Sequence, residues 1–235
     1  MKKILIALLF APLFAFASGT VHLDRWPGSV GDKAALQNGA KYFVNYCLSC
    51  HGASYIRYNK LMELGLTEQQ VKDNLMFTAE KIGEPMRVAA HSAEQKQWFG
   101  AAPPDLTVIA RARASADGSG ADWLYTYLRS FYRDDKRPTG WNNVVFENVG
   151  MPHALYELQG TQTLGEDHKL KLAVPGKLSA DEFDKSVSDL VGFLVWMAEP
   201  QQEFRQRLGV GVLIFLAVFL ALAYALKREY WKDVH

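Results

Sequence analysis

Residues 47–51 read CLSCH, and Cys47 and Cys50 are the only two cysteines in the chain. Two thiols three positions apart with an imidazole immediately after admit three readings: a disulfide or redox dithiol, a zinc site, or a covalently held haem. A disulfide framework belongs to small exported folds that lack a core, and 235 residues can bury a substantial one. A redox dithiol normally opens a helix beside a βαβ pattern, which this sequence lacks. Zinc needs further ligands, and no second metal-spaced Cys or His pair occurs. In the haem reading, Cys47 and Cys50 lie one turn apart and each adds across one vinyl group of a single porphyrin. His51 then lies under the iron. In an exported protein this pattern is a strong signature of haem c attachment.

Export is written at the N-terminus. Lys2 and Lys3 precede the apolar run ILIALLFAPLFAF, and Ala15-Phe16-Ala17 stands before Ser18. Residues 1–17 therefore read as a cleaved signal peptide, the competing reading being an uncut N-terminal anchor.

At the other end LGVGVLIFLAVFLALAYAL carries no charge from Leu208 to Leu226. A helix over it rises about 28 Å at ~1.5 Å per residue, close to the ~30 Å hydrocarbon core of a bilayer. A buried core helix would need a polar stripe, and there is none. Residues 207–227 thus read as one transmembrane helix, 18–206 as a haem domain on the periplasmic side of a bacterial inner membrane, and 228–235 as a cytoplasmic tail. Arg205 and Arg207 before the span and Lys227, Arg228 and Lys232 after it give only a weak positive-inside bias, so the leader sets the orientation. The chain balances 26 Lys and Arg against 25 Asp and Glu, with no basic stripe suited to nucleic acid.

Leu36, Ala40, Phe43 and Cys47 share one helical face, which places the haem motif at the end of a helix. Ser179 and Glu182 form a capping box that opens a second helix carrying Phe183, Val187, Leu190, Val191 and Leu194, expected to pack on the first. Asp122 reads as the N-cap of a third, with Trp123, Tyr127, Leu128 and Phe131 on its apolar face. HKLKLAV suggests a small hairpin between Tyr156 and Leu178. The fold class is therefore mainly α: a cytochrome c-like haem domain with long loops, a small hairpin and one C-terminal transmembrane helix. His22, His91 and His168 read as ordinary surface residues, and the charge run RDDKR at 133–137 as a solvated loop.

A sixth iron ligand has to come from elsewhere. Met62, Met76 and Met197 lie in helix-like stretches, where a core methionine is the default. Met151, in NVGMPHAL, sits between a permissive Gly150 and a fixed Pro152, so a loop can present its thioether; Met86 in GEPMR and His153 are the next candidates. A filled sixth position means electron transfer rather than oxygen chemistry. Arg111 has the fork geometry that a haem propionate needs, although a solvated arginine is the default for RARA.

The stretches YCLSCHGASYIRYNKL, GAAPPDLTVIARAR, DWLYTYLRSFY, RPTGWNN, GMPHALYELQG and EPQQEFRQRLG, followed by one span and ALKREYWK, together resemble the cytochrome c1 family, the haem subunit of the quinol:cytochrome c oxidoreductase (bc1) complex. CLSCH alone would indicate only a c-type cytochrome; APPDLTVIARAR and the single C-terminal anchor narrow it. The resemblance implies one covalently attached haem c. It makes Cys47 and Cys50 the thioether anchors, His51 and Met151 the axial ligands and iron-bound residues, Arg111 a propionate partner, and Pro103 and Pro104 pocket lining. It implies a Rieske iron–sulfur protein as electron donor, a cytochrome c as acceptor, and cytochrome b packed against the anchor. By itself the chain would be non-catalytic, an electron-transfer subunit of an oxidoreductase. SADGSGADW is short for some members, which bears on neighbouring subunits and not on the haem. An independent membrane-tethered carrier serving a terminal oxidase is the alternative, and a haem peroxidase would need an open iron with a distal acid or base.

Overall fold

A computed structural model describes residues 22–233; the expected signal peptide lies outside the described residues. Two helices form the frame. Helix α1, Lys33–Tyr42, starts at Asp32, whose carboxylate accepts from the Ala35 N–H at 3.1 Å. It ends in a wider π-type turn over Phe43–Cys47, so the first haem-motif cysteine sits where the helical ladder loosens.

The long helix opened by the Ser179–Glu182 capping box spans Ala180–Ala198 and buries Phe183, Val187, Leu190, Val191 and Leu194. It packs on α1 as its sequence pattern requires. Gly39 makes the close crossing possible: a Cβ there would lie 2.0 Å from the Asp189 carbonyl oxygen. Phe43 meets Phe193 at 5.5 Å between ring centres, Asn38 donates to Asp189 at 2.7 Å, and the Tyr42 and Ser186 hydroxyls are 2.8 Å apart. Fully burying each such Phe, Leu or Val is worth roughly 1.5–3 kcal/mol, so this apolar seam outweighs its few polar contacts.

Between these helices the chain is mostly loop with short elements. Strand β1 (Ala53–Arg57) pairs with β2 (Pro85–Met86), and between them lie a 3₁₀ segment at Tyr58–Leu64 and helix α2 (Glu68–Asn74). Helices α3 (Ser92–Phe99) and α4 (Ile109–Ala112) follow. Helix α5, Gly120–Arg129, differs from the sequence expectation at its start. Ser119 is the N-cap and Asp122 is the residue that reaches back to it, at 3.1 Å, because Gly120 lets α5 begin one turn earlier, hard against the Ala110 carbonyl. Tyr127 and Leu128 are buried on its inner face, whereas Phe131 falls in the following strand and is buried there.

Strand β3 (Phe131–Arg133) pairs with β4 (Trp141–Asn143). A short helix α6 (Tyr156–Gln159) leads into the expected hairpin, β5 (Gly160–Leu164) against β6 (Leu170–Pro175). The helix Ala180–Ala198 is then α7. Arg129 binds the parts together, with both Asp184 oxygens at 2.7 and 2.8 Å and Asp24 at 2.8 Å. His22, His91 and His168 are all exposed.

Glu199 and Pro200 break the helix, and α8 runs from Gln202 to Tyr230 with none of its residues buried. It is the one described helix long and apolar enough to cross a membrane. The whole is mainly helical with little strand.

Candidate haem site

The haem motif lies in a tight turn. The N–H groups of Cys50 and His51 both donate to the Cys47 carbonyl, at 3.0 and 2.8 Å, which turns the chain straight after the π-type turn. Both cysteines are partly buried and are not joined to each other in a disulfide. Burial, with a smaller contribution from Cys50, pushes the Cys47 thiol up to about 12, so it is held as a neutral thiol. Gln95, buried on α3, donates to the Cys50 carbonyl at 2.9 Å and fixes the back of the turn.

His51 Nδ1 lies 2.7 Å from the Pro104 carbonyl. A carbonyl only accepts, so Nδ1 carries the proton and Nε2 keeps its lone pair for a metal, the arrangement that orients ligating histidines. Burial lowers the His51 pKa, opposed by the Pro104 carbonyl and by Asp105, which favours the neutral ring that ligation needs. The PPDLT segment is in turn tied to the motif's far side: Leu106 N donates to Gly52 O at 2.8 Å and Ser54 N to Asp105 at 2.8 Å. Four of the expected site residues, Cys47, Cys50, His51 and Pro104, are thus brought together.

Met151 reaches the same core by another route. It is half-buried, like Cys47, and both pack against one hydrophobic cluster. The Tyr127 hydroxyl donates to its Sδ at 3.4 Å. The loop before it is clamped: Arg137 donates to the Asn148 side chain at 2.9 Å and to its carbonyl at 2.8 Å, and Asn142 accepts from Asn148 N at 2.8 Å. Asn148 takes a left-handed φ of 60°, which asparagine tolerates. The run at 133–137 is therefore more than a solvated loop, because its last residue holds the Met151 segment.

Of the other candidates for a sixth ligand, Met62 is exposed and Met76 half-buried. Met86 is fully buried in β2, Met197 is buried on α7, and the His153 ring is held between Phe131 and Trp141 at 4.9 and 5.1 Å. Burial lowers His153 to about 4, against a weaker pull from Gln159.

Arg111 is not among these groups; it is largely exposed and lies 3.8 Å from Glu199. Its neighbour Arg113 lies over Trp123 at 4.4 Å, and Trp123 stacks on Tyr127 at 4.7 Å. Gln95 and Asp105 hold the motif turn and its flank, and Tyr127 and Arg137 hold Met151 and the loop before it, contacts that sequence reasoning did not single out. For Tyr127 part of the signal was present, since it lies on the apolar face read for that helix. Among the described residues no three His, Cys, Asp or Glu converge as a metal-ion cluster; the turn offers one imidazole and two thiols, and Met151 offers a thioether against the same hydrophobic core. That set fits a haem c.

The model of the Cytochrome C1 family matches residues 27–234. The chain belongs to the cytochrome c1 family. It is 45% identical to cytochrome c1 of Allochromatium vinosum over 250 residues, covering 100% of both chains. It is 30% identical to cytochrome c1 of Rhodospirillum rubrum, covering 89% of this chain and 86% of that one. It is also 47% identical to a protein of Nitrosomonas europaea named ammonia monooxygenase gamma subunit, covering 100% of this chain and 98% of that one. Membership makes this a haem protein of electron transport, and the apolar α8 fits a membrane-anchored one.

Proposed function

We propose that this cytochrome c1 carries one haem c, bound through thioethers from Cys47 and Cys50, with His51 and Met151 as axial ligands. The contact that carries the reading is His51 Nδ1 to the Pro104 carbonyl at 2.7 Å, because it leaves the Nε2 lone pair, inside a C-x-x-C-H turn, available to ligate iron. Bound there, haem iron supplies a one-electron couple. The protein excludes substrates from it by filling both axial positions and sets its potential through ligand identity, burial and hydrogen bonds. Tyr127 orients the Met151 thioether. For a propionate, Arg113 is better placed than Arg111, since it borders the Trp123–Tyr127 stack while Arg111 neutralises Glu199.

In this reading the haem domain stands on the periplasmic side of the inner membrane, takes electrons singly from a Rieske iron–sulfur protein during quinol oxidation, and passes them to a cytochrome c. Helix α8 crosses the membrane beside cytochrome b. The likeness to a protein named for ammonia monooxygenase supports one competing reading, a subunit of that assembly. Isolation in mild detergent from the native membrane separates the two. A complex with b-type haem and a Rieske centre that reduces this chain on adding quinol is the expected result. Recovery with monooxygenase subunits and without cytochrome b overturns it.

A further inference from the structure

Pro104 presents the carbonyl that meets His51 Nδ1, yet neither it nor Pro103 has an N–H with which to tie that stretch down. The hold on this carbonyl has to come from the residues after it, and Asp105 supplies it. One carboxylate oxygen accepts from the Ser54 N–H at 2.8 Å; the other accepts from the Thr107 N–H at 2.9 Å and from the Thr107 hydroxyl. The Thr107 hydroxyl oxygen in turn accepts from the Tyr55 N–H at 3.3 Å. Leu106 N, donating to Gly52 O at 2.8 Å, adds a main-chain contact between the same two segments.

The bond from Thr107 N closes a turn two residues on from Asp105, which the short side chains of Asp and Asn make well. The bond from Ser54 fastens that turn to β1, the strand that follows the haem motif. A Cβ on Gly52 would lie 3.2 Å from the oxygen that Ser54 binds, so the knot sits directly against the residue after His51. These partners are neutral donors and Asp105 is exposed, so water screens its charge and its hold is geometric.

We propose that Asp105 is a positioning residue for the proximal histidine: by closing the 105–107 turn and fastening it to Ser54, it holds the Pro104 carbonyl on His51 Nδ1 and so lowers the haem potential. It rests on His51 being the iron ligand. An imidazole that donates firmly from Nδ1 is a stronger donor at Nε2, which favours ferric iron. Asp105 acts through Pro104 and needs no contact with the iron.

The test is redox titration of the c-type haem in the intact membrane complex carrying D105A, D105N or D105E, with thermal unfolding as the check on integrity. D105A removes every acceptor of the knot. D105N keeps an acceptor for Thr107 but has only one oxygen for donors on two sides, and D105E keeps the charge on a longer stem that no longer closes the turn. Each variant should raise the potential, D105A furthest. Loosening one hydrogen bond of ordinary net worth shifts the ferrous-to-ferric ratio roughly 2- to 10-fold, or ~20–60 mV at about 59 mV per tenfold. An unchanged or lowered potential in D105A overturns the proposal; if D105A holds no haem, the same result in D105N does. D105E at the wild-type potential with D105A raised makes charge the cause instead of geometry, and also overturns it. Lack of an axial imidazole nitrogen in pulsed electron paramagnetic resonance of the wild-type ferric haem overturns the His51 assignment beneath it.

Discussion

Met151 and Tyr127 form the most informative pair of side chains, because their contact links the proposed ligand to helix α5. Met151→Leu should abolish the thioether–iron absorption and lower the reduction potential, since a soft sulfur favours ferrous iron; redox titration with optical detection checks both. Tyr127→Phe keeps the stack on Trp123 and the edge contact with Phe131 at 5.0 Å while removing the donor to sulfur. A sulfur that donates less to ferric iron raises the potential, so losing the hydrogen bond should lower it. The shift should be tens of millivolts, given that one hydrogen bond is worth ~0.5–1.5 kcal/mol and about 59 mV corresponds to tenfold for one electron. An unchanged or raised potential in Tyr127→Phe contradicts the contact. The turn at the C-x-x-C-H motif was legible in the sequence because its spacing is local, and Met151 was proposed from the permissive backbone around it. The different surroundings of Arg111 and Arg113 were not legible, since both sit in RARA and only the packing of Trp123 against Tyr127 separates them.

Helices α1 and α7 could be read from apolar spacing and from the Ser179–Glu182 capping box, and their contact followed from two stripes needing each other. What the pattern could not convey is how close they come. Gly39→Ala puts a methyl into the Asp189 carbonyl and should cost roughly 1–3 kcal/mol of overpacking, seen as a lower denaturant midpoint by circular dichroism. Full stability in this variant would mean the crossing is looser than described. The start of α5 was misjudged for a related reason, because Ser119 and Asp122 are both good capping residues and only the Gly120 approach to Ala110 decides between them. Burial acts to raise the Asp122 pKa, but hydrogen bonds from Ser119 and the Trp26 N–H, with Arg25 nearby, outweigh it and hold the carboxyl below its ordinary value. Its contribution is therefore fully present above the unfolded carboxylate pKa of about 3.9 and is lost as pH falls through the lower folded value. Asp122→Asn should be less stable at neutral pH and flatten the acid limb below about pH 4, measured as unfolding midpoint against pH. An acid limb of unchanged slope counts against the cap.

For the molecule as a whole, burial sets α8 apart from the elements before it. No residue of α8 is buried, so the domain's core does not depend on the anchor. The two meet at an elbow where Glu199 accepts from Arg205 and lies 3.8 Å from Arg111. A chain ending after Glu199, expressed with an export leader, should yield a water-soluble protein with the same haem spectrum and no assembly with cytochrome b, scored by absorbance and detergent co-purification. Long loops ordered by side-chain clamps such as Arg137–Asn148 left no periodic signal, which is why the middle of the chain was the least legible part. The central claim is that one haem is bonded to the turn at Cys47 and Cys50. Its most direct test is the intact mass of the chain purified from its native membrane and extracted with acidified acetone. The account predicts a mature polypeptide that keeps the mass and colour of one haem; a colourless chain at the bare polypeptide mass contradicts it.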